Sequence, residues 1–156
     1  MTILNLTTFL RTCQTKLVYH KKDGYHIFTN GIVLYACKDD NPNLIKLMGK
    51  ATFDSTDIPA NELTFGRIID SLKNKHRAYV VDHIEKSKIT IAINNFDETK
   101  GIKATILNKN RKVIKKNGKK EYFLVTVPFK RKSLTCYFAQ SLTHDEFILI
   151  MPITQK

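Results

Sequence analysis

The sequence predicts an α+β domain, a twisted, mainly antiparallel sheet with one principal helix and short accessory helices packed against it. Three observations carry that prediction. Asp23-Gly24 and Asn30-Gly31 separate short β-like runs, as hairpin turns do. Leu63, Phe65 or Gly66, Ile69 and Leu72 recur at helical spacing, and Ile89, Ile91 and Ile93 alternate with polar residues as in a half-buried strand.

Leu4, Leu6, Phe9, Leu10 and Cys13 form an apolar stripe, so a short helix is expected there, ending near Gln14. Residues 17–37 then read as a three-stranded meander, because both turn dipeptides tolerate the positive φ that tight hairpins need. Asp39 to Asn43 is a polar turn. Asn43 is placed to cap a short helix over Leu44 to Met48, with Gly49 as its stop. Asn61 is placed to cap the principal helix, and Lys73, Asn74, Lys75 and Arg77 close it where cations suit the negative end of the helix dipole.

Beyond it, Ala78 to Val81 and Ser87 to Ile93 read as strands separated by a polar His83 to Lys86 region. A loop follows at 96–101, and β character resumes from Ile102 to Leu107. Val113 to Val127 resembles a long hairpin centred on Asn117-Gly118, with a type I′ turn. Pro128 ends its outgoing strand or places it at an edge. Ser133 to Ala139 is a further strand, with Leu134, Cys136 and Phe138 inward and Ser133, Thr135 and Tyr137 outward. Thr143 and Glu146 have capping-box spacing, but Phe147 to Met151 before Pro152 reads more naturally as a last buried strand fed by a tight turn.

The chain has 156 residues, 42% of them hydrophobic and 26% charged, a balance suited to one compact domain spanning 1–156. No apolar run is long enough to span a membrane and no secretion signal opens the chain, so a cytoplasmic protein is expected. Cys13, Cys37 and Cys136 are odd in number and far apart, which favours a reducing compartment and a role as small buried hydrophobes.

Charge is the sharpest functional signal. The formal net charge is +12, and residues 103–132 hold eleven basic side chains against one acid, Glu121. Nearly all of the excess therefore lies in one fifth of the chain. Lys103 opens this tract, and Lys109, Arg111, Lys112, Lys115, Lys116, Lys119, Lys120, Lys130, Arg131 and Lys132 are the expected nucleic-acid contacts. The predicted hairpin would present Lys115, Lys116, Lys119 and Lys120 around its base and tip. Lysine outnumbers arginine, so attraction to the DNA or RNA backbone is expected before base selection, with Arg111 and Arg131 giving directional contacts. Tyr122, Phe123, Phe129, Tyr137 and Phe138 interleave the charges as candidate stacking platforms. The small basic character suits proteins of mobile genetic elements as it suits many cellular proteins.

Two other classes fit the same features. A basic face can occupy an acidic site on a protein partner, as an inhibitor or adaptor does. A Mg²⁺-dependent nuclease could use Asp82 or Asp70 with Glu85 and Lys88, although their spacing matches no specific nuclease signature. His20 and His26 lie on neighbouring predicted strands and could face one another as an acid–base pair, while His76, His83 and His144 stand singly. Ser133 and Cys136 lack a nucleophile motif, and no Gly-x-Gly-x-x-Gly or Walker loop occurs. A noncatalytic protein without metal or cofactor is the expectation.

Overall fold

A computed structural model describes residues 2–13, 17–22, 24–51, 75–77, 79–85, 88–92, 103–117, 119–129 and 132–153. Ten strands run in chain order: β1 (Val18–Lys22), β2 (Tyr25–Thr29), β3 (Val33–Cys37), β4 (Lys75–Arg77), β5 (Tyr79–Glu85), β6 (Lys88–Ala92), β7 (Lys103–Leu107), β8 (Lys120–Phe129), β9 (Lys132–Ser141) and β10 (Glu146–Ile150). Among the described residues three short helices accompany them, α1 (Leu6–Thr12), α2 (Leu44–Lys50) and α3 (Asn108–Arg111). A seven-stranded sheet has the order β1-β2-β3-β10-β9-β8-β4, and a three-stranded sheet the order β5-β6-β7. Every described pairing is antiparallel, so the fold is α+β as predicted.

The amino-terminal meander forms where its turns require it. Gly24 and Gly31 have φ of +81° and +95°, the left-handed region that favours glycine. Asn30 adds a second lock. Its side-chain oxygen accepts from the backbone N–H of Ile32 and Val33, both at 2.8 Å, while its amide donates to Thr12 O at 3.1 Å. The β2–β3 turn is thereby tied to the end of α1. That helix starts where Asn5 Oδ1 accepts from Thr8 N at 3.2 Å, and its Phe9 is fully buried.

The other end of the chain closes onto this meander. β10 pairs with β3 on one side and β9 on the other, bringing Ile148 beside both Tyr35 and Ala139. Both faces of the central strands are covered. One face carries Phe28, Tyr35, Tyr137 and Ile148 against Phe9, Leu47, Ile106 and Val113; the other carries Ile27, Leu34, Phe123, Cys136, Phe138 and Leu149. Two-sided burial explains why Val33–Cys37 and Phe147–Ile150 read as continuous apolar runs rather than alternating ones. It also corrects the outward placement of Tyr137, which is fully buried.

Four further expectations change. Lys75–Arg77, expected to close the principal helix, instead forms β4 and pairs with Phe123–Val125 of β8, while residues 61–74 of that helix lie outside the described residues. The polar His83–Glu85 segment, expected to interrupt two strands, continues β5. Asn43 makes no side-chain cap; its amide donates to Thr2 Oγ1 at 2.9 Å, and α2 runs through Gly49 to Lys50. Most consequential for function, no hairpin is centred on Asn117-Gly118. Gly118 itself lies outside the described residues. Val113 to Lys115 pairs with the amino terminus, through Asn5 N to Val113 O (2.7 Å), Lys115 N to Ile3 O (2.8 Å) and a Leu4–Ile114 bridge. Adjacent Val113 and Ile114 are both buried, which a two-sided turn achieves and an exposed hairpin strand would not. The true partner of β8 is β9, with Phe129 opposite Lys132.

The cysteines are free and buried. Burial pushes the Cys37 and Cys136 thiols up to about 12, with the Glu146 charge adding to the effect at Cys37, and raises that of Cys13. Because the thiolate is the reactive form, native protein at neutral pH is expected to leave all three unmodified by a disulfide reagent, with stoichiometric release only on unfolding. Rapid native labelling at Cys37 or Cys136 would contradict this burial.

Candidate nucleic-acid interface

The basic tract folds into a turn and groove at the amino-terminal end of β8. Arg111, at the end of α3, leads through Lys112 into the segment held by the amino terminus, and Lys115, Lys116 and Asn117 emerge from it. Together with Thr2, Asn5 and Thr8 they line a groove of about 680 Å³. None of these lining residues is acidic. Lys109, Lys112, Lys115, Lys116 and Lys119 are exposed, whereas Arg111 and Lys120 are half-buried. Among the described residues, Lys109, Arg111, Lys112, Lys115, Lys116 and Lys119 have no ion-pair partner.

Lys120 and the aromatics form the back of this region. Lys120 Nζ donates to Lys116 O at 3.2 Å and Asn117 O at 3.4 Å, and lies 5.9 Å from the centre of the Tyr122 ring. Burial first, and the Arg111 charge second, lower its pKa. Tyr122 stacks on Tyr137 with centroids 5.4 Å apart and planes at 6°. The buried Tyr137 hydroxyl and Arg111 Nε have no hydrogen-bond partner of ordinary geometry. Arg111 still acts on that hydroxyl, through its charge first and a close side-chain contact second, opposing the upward pKa shift that burial imposes.

Lys132 and Lys103 stand elsewhere. Lys132 opens β9, and Lys130 and Arg131, outside the described residues, connect Phe129 to it. Nine strand rises of about 3.3 Å separate the two ends of β8, or about 30 Å. The tract that is continuous in sequence is therefore spread in space, with Lys120 and Lys132 at opposite ends of β8. Lys103 opens β7, opposite Ala92. The stacking platforms shrink as well, because Phe123, Tyr137 and Phe138 belong to the core while Tyr122 is half-buried beside Lys120; the Phe129 side chain lies outside those described.

The competing chemical sites separate on inspection. His20 lies opposite Ile27 and His26 opposite Lys21; directly opposed residues share a face, so the two histidines point to opposite faces and form no pair. His26 instead links Tyr19, whose Oη is 2.6 Å from Nδ1, to Asp39, 2.5 Å from Nε2. This joins the meander to the connection after β3. The His26 hydrogen bond holds the Asp39 carboxyl below its usual range. A depressed carboxyl contributes stability above its unfolded pKa and loses it as pH falls through the native value. Asp39→Asn is accordingly expected to flatten the fall of melting temperature below about pH 4; an unchanged acid limb would remove Asp39 from that linkage.

Asp82 and Glu85 lie on β5, with a register shift between Val80 and His83, and Glu85 stands opposite Lys88 on β6. Asp70 lies outside the described residues. His76 is on β4, His83 on β5, and His144 in the exposed turn before β10. Among the described residues no group of three His, Cys, Asp or Glu side chains is placed to hold a metal. Ser133 lies on β9, and Cys136 is buried. No described helix is long and apolar enough to cross a membrane.

Fold and groove together define a basic α+β domain with an acid-free cationic channel beside its amino terminus. Comparison with family models, curated proteins and solved structures returns no match.

Proposed function

We propose that the protein binds nucleic acid without cleaving it, holding the sugar-phosphate backbone along the groove at Arg111–Asn117. The observation that carries this reading is a groove whose cations, among the described residues, have no ion-pair partner and whose lining holds no acid. Exposed lysines without carboxylate partners keep their charge available, and a polyanion gains entropy by releasing its condensed counterions onto them. Lysines dominate the rim, so backbone attraction exceeds base reading. The half-buried Tyr122 is the residue best suited to a stacking contact.

A salt series tests it. Labelled single-stranded and duplex DNA and RNA are titrated between about 0.05 and about 0.3 M salt, where log affinity is expected to fall linearly with log salt, by about 0.9 per duplex phosphate contact and about 0.7 per single-strand contact. Absence of binding by all four at the low-salt end removes this reading. An acidic protein would then be the partner to seek for the same groove.

A further inference from the structure

We infer that Arg111 anchors a phosphate-binding seat in this groove, taking one phosphate group as its missing counter-ion. The inference shares its location with the proposed function and specifies the ligand chemistry there. A guanidinium carries five N–H donors and is not deprotonated in proteins, so a half-buried arginine normally has a carboxylate or several acceptors around it. Arg111 has neither. Its Nε is shielded from water without a hydrogen-bond partner, it forms no ion pair among the described residues, and a second cation, Lys120, is near enough for the two charges to act on each other.

Arg111 gathered with Lys112, Lys115 and Lys116 around one groove is an unfavourable set of like charges unless an anion compensates them. The groove supplies the entrance, because Arg111 lines it with Lys112, Lys115 and Lys116. Tyr137, whose hydroxyl is near enough to feel the Arg111 charge, is fully buried and stacked on Tyr122, so this neighbour of the arginine is held by core packing. A planar fork on a rigid wall suits bidentate binding of phosphate, while the surrounding exposed lysines attract it as point charges. This separates Arg111 from its neighbours: the lysines raise local concentration, and the arginine fixes the phosphate.

Inorganic phosphate is the first probe, applied to the full chain by calorimetry and thermal shift at constant ionic strength, with chloride as reference. Saturable binding is expected, weakened at least about ten-fold by Arg111→Lys and lost in Arg111→Met, but unchanged in Lys46→Gln, which alters an exposed residue of α2 outside the groove lining. Phosphate also stabilises proteins generally by exclusion from their surface, but that effect is unsaturable and indifferent to Arg111. Melting without phosphate establishes that each variant is folded, and either arginine variant suffices.

Oligonucleotides with and without a 5′-phosphate separate the two sources. Tighter binding of the phosphorylated form, abolished by the Arg111 variants, supports the seat with a terminal monoester as ligand. Equal binding that both variants weaken supports it with a backbone diester. Unsaturable phosphate effects, or identical affinities in wild type and Arg111 variants, overturn the inference. Saturable phosphate binding without oligonucleotide binding would keep the seat and remove the proposed function. Oligonucleotide binding indifferent to Arg111 would do the reverse.

Discussion

Glu146→Ala is expected to lower folding stability by about 3–4 kcal/mol, a large part of the roughly 5–15 kcal/mol that holds a domain of this size together. Glu146 is 2% exposed at the start of β10. Its carboxylate accepts from Ile3 N at 2.6 Å, Thr2 Oγ1 at 2.7 Å, Tyr35 Oη at 2.5 Å and Asn41 Nδ2 at 3.3 Å. These donors come from the amino terminus, β3 and the connection after β3, so one side chain gathers three distant segments. Alanine leaves them without their acceptor. Thr2 and Asn41 are partly exposed and can turn to water, but Tyr35 is fully buried and cannot.

Glu146→Gln keeps the volume but aims an N–H₂ group at donors, and about 2 kcal/mol is expected for it. Urea unfolding measures both. A cost below about 1 kcal/mol for the alanine variant would show that the latch is incidental to folding. The same latch positions Thr2 and, three residues on, Asn5, both of which line the groove. Weakened nucleic-acid binding is therefore expected to accompany the loss of stability.

The second large effect concerns binding itself. Replacing Lys112, Lys115 and Lys116 together by glutamine is expected to weaken duplex binding about a hundred-fold at about 0.15 M salt, if each neutralises one phosphate and each contact contributes a salt slope of about 0.9. The loss should shrink as salt rises, because the missing term is counterion release. The three lysines are exposed, so melting temperature should barely change. Lys21 and Lys22, on β1, make the comparison: their double glutamine variant should lose far less. Equal losses from the two variants would replace the groove by a diffuse field.

Much of the chain's local organisation is legible in its residues. The meander from 17 to 37, the first helix, the turn into the last strand and the burial of the cysteines all follow from short-range chemistry: positive-φ glycines, apolar periodicity and the absence of a cysteine framework. The turn before β10 adds a detail, since Ser141 and Thr143 hydroxyls both donate to Asp145 and hold its carboxyl below the usual range. A turn dipeptide such as Asn117-Gly118 reports only a local tolerance. Whether the preceding run pairs across it depends on what else that run can reach. Val113 and Ile114 bury against Ile3, Leu4 and Phe9, and that long-range competitor won.

By itself, the sequence determined the α+β class, the strand-turn-strand units and the concentration of charge in residues 103–132, because each depends on residue type and near neighbours. Tertiary structure alone decided that β10 lies between β3 and β9, that Tyr137 is core, that Glu146 is a buried acceptor and that Lys120 and Lys132 of the basic tract lie at opposite ends of β8. Pairing of distant strands sets which faces are covered and how far apart sequence neighbours end, and a ten-residue strand carries one end of a charge run about 30 Å from the other. Arg111 illustrates both levels. Its charge is read from the chain, but its half-burial beside Tyr137 and its place in the groove arise when α3, β8 and the amino terminus meet.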